Sequence, residues 1–306
     1  MFVWNADPNL FHLPDFLPMI GGRGIRYYGA IYVCVFLGGF WLWKWQMLRG
    51  GRSLEQAERF FTMGFLGTII GSRLGHCLFY EPEVYLKDPI RILYFWQGGL
   101  ASHGGTIGLI CVLVYFANRE KMQIREVLDR FSLSAAWGAT LIRVGNFMNS
   151  EIVGRVADGQ SGVKFPRYEY YHNAAARIPC ETSCAAAEPN TCSLVNDFCM
   201  SLAKVPWRHP SQLYEVVMGT AVFLALWLID RRFGEKRPIG LMGFSFLLLY
   251  FTGRFVVEFY KEFQALGPER SSFTMGQYLS IPFMILGGFG IYYSLKNRVV
   301  REPAAE

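Results

Sequence analysis

Seven long apolar segments dominate this sequence of 306 residues. Hydrophobic residues make up 52% of the chain and charged residues only 18%, whereas soluble domains usually carry about 25% charged residues. A helix needs about 20 mostly apolar residues to cross a bilayer, and segments of this kind lie at roughly 27–47, 60–80, 95–117, 131–149, 212–230, 238–259 and 275–295. The sequence therefore predicts an all-α, polytopic membrane protein with seven transmembrane helices.

Basic residues between these segments predict the orientation of the chain. Cytoplasmic loops are rich in Lys and Arg, and we therefore expect the N-terminus outside and the C-terminus in the cytoplasm. Because the basic residues form short clusters between apolar runs, the net charge of +6 does not indicate nucleic-acid binding. The clusters follow the first, third, fifth and seventh segments, at Lys44, Arg49, Arg52 and Arg59, at Arg119, Lys121, Arg125 and Arg130, at Arg231, Arg232, Lys236 and Arg237, and at Lys296, Arg298 and Arg301.

The loop at 155–208 is the only sizeable region that we expect outside the bilayer, as an insert in a single membrane-embedded domain of residues 1–306. Disulfides persist on that side of a membrane, and they stabilise an insert that is too small to form a large hydrophobic core. We therefore predict two disulfides and leave their three possible pairings open. A metal site is the alternative, but His172 and His209 are badly spaced for it. The cysteines concerned are Cys180, Cys184, Cys192 and Cys199.

The end of the fourth segment carries an unusual concentration of polar side chains, Arg143-Val-Gly-Asn-Phe-Met-Asn-Ser-Glu-Ile-Val-Gly154. Polar groups at membrane depth are costly and usually functional. In a helix, Arg143 and Asn146 lie on one face, and a guanidinium offers five donors in a fork that suits phosphate. The alternative is an ion pair of Arg143 with Glu151 or another acid that only holds the helices together.

A histidine with glycine pairs on both sides is the second candidate. His103 lies in Gly98-Gly-Leu-Ala-Ser-His-Gly-Gly105, and imidazole is the natural proton acceptor near neutral pH. Glycines are also common in membrane helices for packing alone, so a structural histidine is the alternative.

A third candidate is the stripe of Tyr250, Arg254 and Glu258, which recurs every four residues along the sixth segment. Its alternative is a self-contained ion pair of Arg254 with Glu258. A pair within one helix gains little, whereas its placement in a bilayer costs several kcal/mol. Two further clusters, Arg26-Tyr-Tyr-Gly29 and His209-Pro-Ser-Gln-Leu-Tyr-Glu215, are also compatible with an interface belt and with helix capping.

Taken together, these clusters suit the anionic headgroup of a phospholipid, and in this order they resemble motifs of the bacterial prolipoprotein diacylglyceryl transferases. The segment 143–155 resembles the family signature and is the most specific match. Tyr27 stands where the family has tryptophan, and the loop at 155–208 is longer than is usual in the family. The resemblance covers all seven segments.

The resemblance implies the transfer of a diacylglyceryl group from phosphatidylglycerol to the thiol of the lipobox cysteine of a preprolipoprotein, with release of glycerol phosphate. It implies a multi-pass protein of the bacterial cytoplasmic (inner) membrane with an extracytoplasmic active site, and it requires no metal or cofactor. The implied catalytic residues are His103, Arg143 and Arg254. The implied substrate-binding residues are Tyr28, Arg143, Asn146, Glu151, Gly154, Arg254 and Glu258.

Two other classes of protein use similar residues. A transporter or flippase for an anionic lipid would need the same arginines but leave its substrate chemically unchanged. An intramembrane protease would need a nucleophile, and although Ser102 adjoins His103, no nucleophile–base spacing stands out.

Overall fold

The computed structural model describes residues 2–12, 24–94, 98–158, 162–173, 176–178, 192–195, 198–262 and 273–299. The described chain is mostly helical. Its helices are α1 (Tyr27–Arg49), α2 (Leu54–Phe79), α3 (Pro82–Tyr85), α4 (Ser102–Arg119), α5 (Ile124–Met148), α6 (Pro166–His172), α7 (Ser211–Phe233), α8 (Leu241–Val257) and α9 (Met275–Asn297).

Helices α1, α7, α8 and α9, two of them with short extensions, are long and apolar enough to cross a membrane. They expose large apolar side chains such as Trp41 (65%), Val217 (71%) and Ile285 (67%). Contiguous apolar surface of this kind is rare on soluble proteins and is typical of a surface that meets lipid. The chain is therefore a multi-pass membrane protein. Helices α2, α4 and α5 occupy the other three predicted positions, and the count of seven spans stays a prediction.

Helix α4 begins later than the apolar run at 95–117 predicted. The backbones of Gly98 and Gly99 adopt φ values of +91° and +77°, which lie in the left-handed region and cannot continue an α-helix. The helix therefore starts at Ser102, directly before His103.

The prediction of an all-α fold is wrong for two short regions, each of which forms antiparallel strands. Strands β1 (Asn9–His12) and β2 (Gly24–Arg26) pair with each other before α1. In the insert, β3 (Val163–Lys164) pairs with β7 (Trp207–Arg208). The remaining strands form a sheet of order β4-β6-β5, from β4 (Arg177–Ile178), β5 (Cys192–Val195) and β6 (Phe198–Ser201).

The insert builds its own small core. Ala176, Val195, Met200, Leu202 and Val205 pack together with almost no exposed surface.

The two predicted disulfides fall mainly outside the described residues and stay a prediction. Cys180 and Cys184 are not described. Cys192 lies in β5 and Cys199 is buried in β6, and the register places Cys199 opposite Leu194 and Cys192 opposite Ser201.

The chain divides into two compact units. Unit 1 comprises Met1–Gly39, Ala135–Ala225 and Phe246–Gly288, and unit 2 comprises Phe40–Ser134, Leu226–Ser245 and Phe289–Glu306. Unit 1 contains the signature segment and the insert, whereas unit 2 contains α2 and α4.

In unit 2, glycines allow the backbones of α2 and α4 to touch. A Cβ on Gly71 would lie 2.4 Å from the carbonyl oxygen of Gly104, and a Cβ on Gly108 would lie 2.2 Å from that of Gly67. Contact this close is the small-residue packing of membrane helices. The glycines that follow His103 therefore serve packing, as the alternative interpretation of that motif held.

Unit 2 also buries a cluster of ion pairs. Asp230, which is 1% exposed, accepts hydrogen bonds from Arg49 (2.7 Å), Arg237 (2.8 Å) and Gln46 (3.0 Å). Several basic residues that predicted the orientation of the chain are thus paired inside the protein.

Candidate functional site

The side chain of Arg143 is held in place by two groups of unit 1. Its Nε lies 3.2 Å from Oε2 of Glu215, and its Nη1 donates to Oδ1 of Asn146 at 3.3 Å. Arg143 and Asn146 therefore share one face of α5, as their spacing predicts. The ion pair that the sequence left open exists, but its acid is Glu215 of α7 rather than Glu151.

Glu215 belongs to a chain of alternating charges. The Nζ of Lys261 lies 3.6 Å from Oε1 of Glu215 and 3.4 Å from Oε2 of Glu258. The side chains of Glu215, Lys261 and Glu258 are 1%, 4% and 7% exposed. Burial of unpaired charges would be very costly, and here each carboxylate has a cation. We refer to Arg143, Glu215, Lys261 and Glu258 as the charge chain.

Arg254 has different electrostatic surroundings from Arg143. The alternative that it forms a self-contained pair with Glu258 is wrong, because Glu258 pairs with Lys261. Within the described residues, the half-buried Arg254 side chain makes no ion pair or hydrogen bond. Tyr250, one turn earlier on α8, interacts with the guanidinium of Arg143. Residues four apart share a helix face, so Arg254 lies on the face of α8 that meets Arg143.

Tyr28 packs directly against the backbone of α5. A Cβ on Gly145 would lie 2.7 Å from Cδ2 of the Tyr28 ring, so any larger residue would displace that ring. The Tyr28 hydroxyl lies 3.4 Å from that of Tyr32 and interacts with the side chain of Asn146. Tyr28 and Asn146 were predicted as substrate-binding residues, and they lie together beside Arg143.

Gly154 joins two other parts of unit 1. Its N–H donates to the carbonyl oxygen of His209 at 2.9 Å. A Cβ at this position would lie 2.4 Å from that oxygen and 2.5 Å from the carbonyl oxygen of Tyr260. No other residue fits there. Gly154 thus fixes the segment that leads into α7 and the segment that follows α8.

Glu151 lies in the turn that follows α5, and the start of α7 holds that turn. The Nε2 of Gln212 donates to the Glu151 carbonyl oxygen at 2.7 Å, and the Ser211 hydroxyl donates to that of Ile152 at 3.0 Å. The Glu151 side chain is exposed and accepts a hydrogen bond from Nδ2 of Asn149 at 3.2 Å. The motif from His209 to Glu215 therefore binds this turn and supplies the partner of Arg143.

His103 lies in unit 2, at the second residue of α4, with an exposed side chain. It makes no side-chain hydrogen bond within the described part of the chain. Its catalytic role stays a prediction.

Arg73, in α2, was not predicted as a site residue. It is 5% exposed, and its guanidinium donates to five backbone carbonyl oxygens in the segment that leads to His103. Those acceptors are Arg91 (2.7 Å), Ile92 (2.9 Å), Tyr94 (3.3 Å), Gly98 (2.6 Å) and Gly99 (3.2 Å). In the sequence, only the glycine pair before His103 indicates this interaction, because glycines in the left-handed region can turn their carbonyl groups in unusual directions.

Lys261 was not predicted either. It lies three residues after Glu258, beyond the apolar part of the sixth segment, where a lysine reads as an ordinary interfacial residue. In the sequence, only its spacing from Glu258 indicates an ion pair. Its contact with Glu215 depends on the tertiary structure.

Helices that expose apolar surface, together with a buried chain of ionised groups, define a multi-pass membrane protein with an internal polar site. The family model described as "Prolipoprotein diacylglyceryl transferase" matches residues 15–293. This chain belongs to that family, and the resemblance seen in the motifs is confirmed.

Relatives match along nearly their whole length. The chain is 36% identical over 299 residues to the phosphatidylglycerol–prolipoprotein diacylglyceryl transferase of Tolumonas auensis, which covers 97% of this chain and 99% of the relative. Proteins of the same name from Pseudoalteromonas atlantica and Chloroherpeton thalassium are 35% and 34% identical, over 92% and 96% of this chain and 90% and 94% of the relatives.

Proposed function

We propose that this protein transfers the diacylglyceryl group of phosphatidylglycerol to the thiol of the lipobox cysteine of a preprolipoprotein. The observation that carries the proposal is the pair of arginines in unit 1. Arg143 is fixed by Glu215 and Asn146, while Arg254 keeps its donors without a partner within the described residues. A phosphodiester supplies the anionic oxygens that such a pair binds. Family membership and the names of the relatives support the same reaction.

In the reaction, the sulfur of the cysteine attacks the glycerol carbon that bears the phosphodiester. A C–S thioether bond forms, the C–O bond breaks, and its electron pair goes to the phosphate oxygen, so that glycerol phosphate leaves. The thiol proton must pass to a base, because the thiolate is the nucleophile. Negative charge grows on the phosphate as the bond breaks, and fixed guanidinium donors stabilise that growth.

The remaining predicted residues have supporting roles. Tyr28, Asn146, Glu151, Gly154 and Glu258 bind the headgroup or shape the site around Arg143. The charge chain supports this because Glu215 fixes the Arg143 guanidinium and Glu258 is linked to Glu215 through Lys261.

His103 accepts the thiol proton or orients the headgroup. Its support is the exposed imidazole at the start of α4, which is free of side-chain hydrogen bonds within the described residues. Replacement of His103 by Gln should change the pH–rate profile, and an unaltered profile would exclude the role of base.

We place the protein in the bacterial cytoplasmic (inner) membrane as one transferase domain of residues 1–306 with seven spans. The N-terminus and the insert at 155–208, stapled by two disulfides, lie on the extracytoplasmic side, where the active site opens. The clusters of Lys and Arg after alternate segments support this orientation.

The test is mass spectrometry of a lipobox peptide after incubation with the purified protein in phosphatidylglycerol vesicles. A mass gain of one diacylglyceryl group on the cysteine supports transfer, whereas a cleaved or unchanged peptide refutes it and favours a protease or a lipid transporter. Arg143→Ala should abolish the gain. Arg232→Ala, at an exposed position at the end of α7, is the matched control and should keep wild-type activity.

A further inference from the structure

Unit 1 contains a cavity of about 600 Å³ whose lining includes Glu151 but none of the other residues assigned to the headgroup. It lies between the turn that follows α5 and the helix α6 of the insert. Ten residues line it: Asn149, Ser150, Glu151, Ile152 and Val153 from the turn, Arg167, Tyr168, Tyr171 and His172 from α6, and Glu262 from the segment that follows α8.

The turn that forms one wall is strained. Ser150 and Ile152 both have φ of 54°, a left-handed conformation that is a genuine outlier for a β-branched residue. Such strain costs of order 1–3 kcal/mol for each residue and clusters at ligand-binding sites. The bonds from Ser211 and Gln212 hold the turn in this form. The wall is therefore fixed before any ligand arrives.

This wall also contains two buried hydrogen-bond acceptors, Oδ1 of Asn149 and Oγ of Ser150, and neither has a partner among the residues that the structure describes. The other end of the Asn149 amide donates to Glu151, which sets the direction of Oδ1. A buried acceptor without a donor costs about 1–3 kcal/mol, so a ligand that brings N–H groups would recover this loss.

The opposite wall is aromatic. The rings of Tyr168 and His172 stack with centroids 4.1 Å apart, and the guanidinium of Arg208 lies 4.9 Å from the centroid of Tyr168. Burial raises the pKa of Tyr168 while the charge of Arg208 opposes the rise, so this phenol stays neutral near pH 7. Tyr171 is 64% exposed at the edge. Aromatic surface of this kind packs well against peptide side chains.

We propose that this cavity binds the polypeptide acceptor, specifically the extended backbone of the residues that follow its cysteine. The inference rests on the proposed function. Extended backbone carries the N–H groups that Asn149 and Ser150 lack, and the aromatic wall takes the alternate side chains. The phospholipid headgroup is a poorer fit because neither Arg143 nor Arg254, the two arginines proposed to bind its phosphate, lines this cavity.

The test compares two peptide acceptors that differ only after the cysteine. One ends in an amide at the cysteine, and the other continues for three residues. With wild-type protein, the longer peptide should have a KM about tenfold lower. Tyr171→Ala should remove that preference, while leaving the KM for phosphatidylglycerol unchanged. Val156→Ala, which is 58% exposed in the same insert and does not line the cavity, is the matched control and should keep the preference.

Ser150→Gly provides a second variant that removes the acceptor and relieves the left-handed strain. It should raise the KM of the longer peptide without loss of thermal stability. The proposal is overturned if both variants keep the preference for the longer peptide, or if they raise the KM for phosphatidylglycerol instead, which would make the cavity a lipid site.

A photo-crosslinking peptide separates failure of this proposal from failure of the proposed function. Its cysteine is replaced by serine, so that no transfer can occur, and it carries a benzophenone two residues after the serine. Crosslinks to Tyr171 or His172 support the site whether or not the protein transfers lipid. Crosslinks confined to residues outside the cavity overturn the site, even if transfer to thiol peptides proceeds.

Discussion

The two arginines of the candidate site have different electrostatic surroundings. Arg143 is fixed by Glu215, which in turn is shared with Lys261. Arg254 has no such partner in the described part of the chain. Tyr250, one turn away on the same face of α8, interacts with Arg143. A guanidinium that a buried carboxylate holds has a fixed position, whereas a guanidinium with unpaired N–H donors can form all its hydrogen bonds with a substrate. We therefore expect substitutions of the two residues to act differently.

Replacement of Arg254 tests this difference. Arg254→Ala should lower the rate of thioether formation by about 10²–10³-fold, which is the usual loss when one fixed donor to a developing anion is removed. Arg254→Lys keeps the charge but not the planar fork, so it should retain more activity than Arg254→Ala. Initial rates in phosphatidylglycerol vesicles measure both. A wild-type rate for Arg254→Ala would contradict a role for this guanidinium.

Replacement of Glu215 tests the charge chain. Glu215→Gln leaves Arg143 and Lys261 buried with one carboxylate fewer, and the loss of one partner of a buried pair costs about 3–5 kcal/mol. The midpoint of thermal unfolding in detergent should fall clearly. Glu55→Gln breaks an ion pair with Arg59 in which the glutamate side chain is 80% exposed, so this control should change stability by less than about 1 kcal/mol. Equal effects would argue against a stabilising charge chain.

At the scale of elements, the segment between α2 and α4 depends on one buried side chain. Five carbonyl oxygens between Arg91 and Gly99 accept hydrogen bonds from Arg73. The ring of Tyr85 lies 5.0 Å from the same guanidinium. The start of α4, and with it His103, is therefore set by α2 through this arginine.

Replacement of Arg73 should loosen this segment. Arg73→Gln removes the fork and leaves most of the five carbonyls without a donor, at about 1–3 kcal/mol for each one that stays buried. Amide hydrogen exchange at 89–94 should accelerate, while exchange in α5 stays unchanged. Arg91→Ala, whose side chain is 54% exposed and pairs with Asp88, is the control and should leave exchange nearly unaltered. Unchanged exchange in Arg73→Gln would show that the segment is held by other contacts.

At the scale of the whole molecule, the orientation in the membrane decides which regions meet the secreted substrate. The insert has its own core of apolar residues and contributes the four α6 residues of the proposed polypeptide site. A substrate thiol that has left the cytoplasm can reach this site only if the insert lies outside. The orientation is thus a requirement of both proposals.

Epitope insertion tests the orientation directly. An epitope after Lys204, in an exposed turn of the insert, should bind antibody in intact spheroplasts. An epitope after Lys121, in the turn between α4 and α5, should bind antibody only after permeabilisation. Each tagged protein should first be shown to retain activity. The reverse pattern would invert the proposed topology.

Several features of this protein follow from sequence alone because they depend on local pattern. Apolar runs predict the positions of all seven long helices, since a helix in a bilayer must satisfy its own backbone. The spacing of Arg143 and Asn146 predicts their shared face. Motif order predicts the family. The predicted start of α4 is wrong because hydropathy carries no information about backbone angles, and Gly98 and Gly99 adopt the left-handed conformation.

Only the tertiary structure decided which charges meet. Glu258 pairs with Lys261 rather than with Arg254, Glu215 rather than Glu151 fixes Arg143, and Arg73 holds the segment before His103. Such choices depend on side chains brought together from helices far apart in the chain, and each buried charge selects the partner that best offsets its desolvation. The sequence by itself determined the helices and the family, and packing determined the electrostatics of the site.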